Sequence, residues 1–290
     1  MAAMRRNPMP KLFGSSAFFI PLVIAVLSIN TFGCVANPSP EAISSSSKPQ
    51  SIRAKPNLTN LSWDLKTGEK IYDDQLEALK NKKTRIDNDP EMVARLNRIM
   101  NRLRPQTLIP DIPFQVHYVD HKTVNAVCYL GGGILFFHGL FDPEKGLVDA
   151  KSDDEIAAVM GHEMAHATLR HSYKSYRNSM VWSFFGNLAS IAIGAAGGTD
   201  WSRVFNTIFD ISSGLYFPSY SRSHESQADF EGMITMMNAG YNPEKAIALW
   251  QRAADKKGQH DNTSIYASHP SNGKRAHDLA VHLANIRARL

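Results

Sequence analysis

The chain has 290 residues, 43% hydrophobic and 20% charged, which suits one soluble catalytic domain with extensions. A net charge of +5 is modest, and the basic pairs are scattered (Arg5-Arg6, Lys82-Lys83, Lys256-Lys257) with no aromatic-interleaved basic run, so nucleic-acid binding is set aside. Two cysteines, Cys34 and Cys128, are too few for a disulfide framework.

The amino-terminal part reads as an address. Arg5, Arg6 and Lys11 form a positive region ahead of an apolar run from Ala17 to Ile29, which is short for a membrane span and typical of a signal peptide. Thr31-Phe32-Gly33-Cys34 then resembles a bacterial lipobox, with Gly33 and Cys34 in place but Thr31 where Leu is usual and a bulky Phe32. The favoured expectation is a signal peptide over 1–33 and a lipid anchor on Cys34. The alternatives are ordinary cleavage after Ala36, giving a soluble periplasmic protein, and an uncleaved anchor. All three export the chain. Residues 34–56, rich in Ser and Pro, are expected to be a flexible tether, and 57–290 the catalytic domain.

Apolar spacing predicts a helix over Asp64–Lys83 and a second from Pro90, a first-turn residue, to Leu103, stopped by Pro105. Strand character follows. Phe114, Val116 and Tyr118 alternate with Gln115 and His117, and Val124–Leu130 and Ile134–Phe137 are two further strands joined at Gly131-Gly132-Gly133. His117, His121 and His138 are read as ordinary strand residues.

The next helix, Ser152 to about Asn178, contains His162-Glu163-Met164-Ala165-His166. Residues four apart share a helix face, so His162 and His166 project together and can fill two corners of a tetrahedral zinc site. Glu163 lies about 100° round the helix from His162, within reach of a water in the open position, for which it is the expected general base. The competing reading is a chance match on an ordinary amphipathic helix. Against it stand small Gly161 and Ala165 beside the histidines, the apolar Ile156, Ala157, Val159 and Met160, and a capping box at Ser152–Glu155. His171 is read as structural, too far along the helix to share the metal.

Val181–Gly198 has nearly the length and the glycines of a membrane helix, but Ser183, Asn187 and Ser190 interrupt it, which favours a buried or substrate-facing helix. Two histidines do not hold a catalytic zinc, so a third ligand is needed. Glu225, on a helix running to Met237, supplies it, and Asp229 one turn on is expected to take the N–H of His162. Helices over Glu244–Lys257 and Asn272–Leu290 complete the chain, with His269-Pro270 in the loop between them and Arg275 on the last.

Four motifs in order carry a family resemblance: Asn125-Ala126 with the following glycines and Gly139-Leu140; GHEMAH; SRSHESQAD at 221–229; and His269-Pro270 with Arg275. Together they resemble the gluzincin metalloendopeptidases related to CAAX prenyl protease and HtpX, nearest the periplasmic lipoprotein branch of BepA and LoiP type. The resemblance implies an α+β fold, predominantly helical and zincin-like, with a small sheet bordering the active-site cleft. It implies one zinc per chain on His162, His166 and Glu225, with Glu163 as base and Arg275 stabilising the oxyanion. His269 stands in a loop able to approach the metal, either as a gate on its fourth position or as a partner of Arg275. Asn125 and Ala126 would border the cleft, where a peptide adds as a strand. The expected activity is hydrolysis of misfolded or unassembled envelope proteins in the periplasm, at the outer membrane by preference. The alternative is an envelope chaperone that binds outer-membrane clients with proteolysis latent.

Overall fold

The computed structural model describes residues 57–175, 220–255 and 273–288, together with Arg53, Lys55, Pro218, Ile265 and His269. The targeting segment, most of the tether and Val181–Gly198 lie outside the described residues. Arg53, within the expected tether, is among the described residues. Its guanidinium donates to the buried Glu231 carboxylate and to the Gln106 carbonyl.

Helix α1 spans Leu61–Asn81 and α2 spans Pro90–Leu103. The second starts where its chemistry dictates, with Pro90 at a position needing no N–H and the Asp89 side chain accepting from Met92 N at 3.0 Å. Strands β1 (Gln115–Val119), β2 (Ala126–Cys128) and β3 (Gly133–Phe137) form one sheet in the order β1-β3-β2. The first pairs with β3 in parallel and the second antiparallel, leaving β2 at an edge. Strand β2 is shorter than expected because the chain leaves the ladder at Leu130, in a turn where Gly131 and Gly132 take positive φ (79° and 95°).

The sheet separates two apolar layers. Ile71, Tyr72 and Leu79 of α1 pack with Val119, Val127, Leu135 and Phe137 on one face. The other face, through Val116, Tyr118, Ala126, Cys128, Ile134 and Phe136, meets α2 and the remaining helices. Covered on both sides, β3 is buried at all five residues, which is why its sequence is an unbroken apolar run. The fold is thus α+β and predominantly helical, with a small three-stranded sheet among the described residues.

Helix α3 (Asp153–Thr168) lies at the centre, with every residue from Glu155 to Thr168 buried. Ser152 caps it by accepting from Glu155 N at 3.2 Å, but the box is not reciprocal. The Glu155 carboxylate turns instead to Asp149 N and Arg252. Helices α4 (Arg222–Asn238), α5 (Glu244–Asp255) and α6 (Gly273–Arg287) follow. The crossing of α3 and α4 is set by two glycines: a Cβ on Gly232 would fall 2.7 Å from His162 N and 2.8 Å from Gly161 C. Only with no side chain there do the two backbones touch, directly beneath His162. No helix of the described residues is long and apolar enough to cross a membrane.

Candidate metal centre

The i, i+4 spacing on α3 brings the Nε2 atoms of His162 and His166 to 3.0 Å. Because α4 packs so closely, Glu225 of its first turn reaches both: Oε2 is 3.4 Å from His162 Nε2, and Oε1 is 3.4 Å from His166 Nε2. From the stretch between α5 and α6 comes His269, whose Nδ1 lies 3.2 Å from His162 Nε2 and 3.1 Å from Glu225 Oε1. All four side chains are buried, with one ligand atom from each within 4.8 Å of the others. A tetrahedron with metal bonds of about 2.0–2.1 Å has edges of about 3.3–3.4 Å, so nitrogen and oxygen donors at these separations fit zinc.

The expected base sits beside this cluster. Glu163 is 1% exposed, and its Oε2 accepts from Cys128 N of the edge strand at 3.0 Å. Its Oε1 makes no hydrogen bond and faces His269 Nε2 at 3.3 Å. Burial raises the Glu163 pKa, against the partial opposition of His269 and His162. A desolvated carboxylate with a free buried oxygen is poised to accept a proton.

The other side of the cluster is closed. Asp229 Oδ1 lies 2.9 Å from His162 Nδ1, where the expected partner of that ring nitrogen should be. Arg275 grips the same carboxylate through Nε and Nη2 at 2.7 and 2.6 Å. Its Nη1 is taken by Glu225 Oε2 at 3.1 Å and the His269 carbonyl at 3.4 Å. The guanidinium stacks on Trp250 of α5, whose ring also abuts His162. Each of its three nitrogens faces an oxygen of Asp229, Glu225 or His269, so Arg275 braces these groups from behind. Burial works against charge on Asp229, yet Arg275 and then His162 hold its pKa below the usual range. Burial would likewise lower His162, but Asp229 and Glu225 outweigh it and push the metal-free imidazole up to about 9. Glu225, raised by burial, is carried well below its ordinary value by His269 and the two α3 histidines.

Asn125 and Ala126 stand at the start of β2, with the Asn125 amide oxygen accepting from Ala126 N at 2.9 Å. The ladder to β3 uses Asn125 O and Tyr129 N, so Ala126 and Cys128 turn their backbone groups away from β3, where their N–H groups donate to the Asn125 amide oxygen and to Glu163 Oε2. His117, His121 and His138 bind Asp87, Thr123 and Tyr118 and stay outside the cluster. Three residues that sequence reasoning did not assign to the site line it: Trp250, Tyr220, stacked on His166 at 3.8 Å, and His171, 2.9 Å from His166 Nδ1. Lone aromatics carry no spacing signal, and His171 was expected on a continuing helix.

A family model, that of peptidase family M48, matches residues 90–282. Among curated proteins, the chain is 31% identical over 181 residues to the mitochondrial metalloendopeptidase OMA1 of Schizosaccharomyces pombe, covering 62% of this chain and 50% of that protein. It is 24% identical over 201 residues to the beta-barrel assembly-enhancing protease of Yersinia pestis, covering 66% and 37%. To the metalloprotease LoiP of Escherichia coli it is 25% identical over 209 residues, covering 72% and 77%. The chain thus spans half or less of the first two of these relatives and most of the third.

Proposed function

The chain belongs to peptidase family M48 and carries a zinc metalloendopeptidase domain, and on that premise we propose that it hydrolyses unfolded or unassembled proteins of the bacterial envelope. The observation that carries the reading is the buried His162–His166–Glu225 cluster beside the free Oε1 of Glu163. When bound there, zinc supplies the Lewis acidity that acidifies water and polarises a peptide carbonyl. Glu163 accepts the water's proton at Oε1 and returns it to the leaving amine. Its other oxygen, tied to Cys128 N, keeps the base in line with the β2 edge, where an extended peptide can pair with the carbonyls of Ala126 and Cys128. Arg275 keeps Asp229 and Glu225 ionised and in place.

The envelope assignment draws on the export signal with Cys34 as lipid anchor, and on relatives whose names speak of β-barrel assembly. Cys34→Ala should move the protein from the membrane to the soluble fraction of cells, and unchanged fractionation would remove the anchor. The proposed activity itself is tested by casein digestion with the purified chain. Cleavage should vanish with a chelator and return with zinc, and chelator-resistant cleavage would overturn it. A second reading, a client-binding factor whose proteolysis is latent, is favoured by His269 Nδ1, which stands at the fourth corner of the cluster where water must enter.

A further inference from the structure

His171 lies five residues beyond His166 and is fully buried. On a continuous helix it would point about 140° away from His166. The helix does not continue. It ends at Thr168, and Arg170 takes a left-handed backbone (φ 57°), a conformation usually left to glycine. The strain is held by a buried bidentate pair with Asp64, at 2.6 and 2.8 Å, and a bond to the Asn57 carbonyl. A new helical turn begins at His171 and swings its ring back, so that Nδ1 comes within 2.9 Å of His166 Nδ1.

We infer that His171 is a positioning residue for the metal centre: through Nδ1 it accepts the Nδ1–H of His166 and locks that ligand in the tautomer whose Nε2 lone pair faces Glu225 and His162. This rests on reading His166 as a ligand. A histidine that offers Nε2 to a metal carries its proton on Nδ1. The nearest acceptor for that proton is His171 Nδ1, so His171 carries its own proton on Nε2. That nitrogen lies 3.3 Å from Gln227 Oε1 on α4. The Gln227 amide is turned the right way by its Nε2, which donates to Ser223 Oγ at 3.2 Å. Each proton position follows from the one before, and the relay ends at the surface. The ring planes are held by stacking, His224 on His171 at 4.3 Å and 10°, and Tyr220 on His166 at 3.8 Å and 17°. The two ligands of α3 are therefore backed differently, His162 by an anion and His166 by a neutral imidazole.

The test is zinc affinity of the full chain by chelator competition. His171→Phe fills the space without an acceptor and should weaken zinc roughly ten- to a hundredfold, the usual loss for a ligand's hydrogen-bond partner. His171→Asn, whose amide oxygen stands near the lost Nδ1, should recover most of it. Equal affinities for the two variants, or wild-type affinity for both, would overturn the inference. Should His171→Phe not fold, the exposed Gln227→Leu replaces it. A severalfold loss of affinity is expected there, and none would break the relay. Nitrogen-15 spectra of the zinc-loaded chain should show His171 protonated on Nε2, and a proton on its Nδ1 would sink the idea whatever the variants do. His166→Ala is the control for the premise. If it keeps wild-type zinc affinity the ligand reading fails, whereas loss of zinc there with none in His171→Phe refutes only the relay.

Discussion

The two sides of the cluster differ in what stands against them. Behind the ligands, the Asp229 carboxylate lies 2.9 Å from His162 Nδ1 in the grip of Arg275, and His171 stands between His166 and Gln227. In front, Glu163 keeps a buried oxygen with no hydrogen bond, facing His269 Nε2 at 3.3 Å. A buried polar atom without a partner costs about 1–3 kcal/mol, so such an atom persists where another molecule is to supply the partner. The back holds geometry, and the front is left open for chemistry.

That contrast predicts opposite phenotypes for changes a few ångströms apart. Glu163→Gln, at the front, should lower hydrolysis by about 10²–10⁴, the range of a lost general base, and leave zinc affinity unchanged. Zinc loss in this variant would place Glu163 among the ligands. At the back, Asp229→Ala should weaken zinc about ten- to a hundredfold by chelator competition. It should also destabilise the fold by about 3 kcal/mol in denaturant, since the buried Arg275 loses its bidentate partner and keeps Glu225 alone. Wild-type affinity in this variant would make Asp229 a packing residue only.

Gly232→Ala probes what brings back and front together. The added methyl meets the His162 backbone, so α4 must move away, at about 1–3 kcal/mol, the range for overpacking. Calorimetry with and without zinc should show the larger loss in the zinc-bound form, and equal losses would separate helix approach from ligand geometry. The smallest effect belongs to His269. Its Nδ1 occupies the corner that a catalytic site keeps open, so His269→Ala should raise basal casein cleavage severalfold. A fall would instead make the residue part of the reaction, and would favour its expected partnership with the oxyanion over the gate.

Features that depend on one turn of chain or on periodic burial were legible from the residues. His162 and His166 converge because they are four apart on a helix. The span Pro90–Leu103 is delimited by its own prolines, and the apolar run of β3 announces a strand covered on both faces. The amino-acid order alone thus determined which side chains α3 presents together and the helices that carry the expected site residues. It did not determine where α3 stops, because periodicity runs straight through Leu169 to Tyr173. The break at Arg170 is held by Asp64, 106 residues away in sequence. Nor did it reveal that Arg275 turns its fork to Asp229, 46 residues back, or that His269 meets His162 across 107 residues. Those choices were made by packing: α4 reaches α3 closely enough for Glu225 to meet both histidines only because Gly161 meets Gly232 without a side chain between them. Such contacts depend on the distance between two helix axes, which no local pattern of residues encodes.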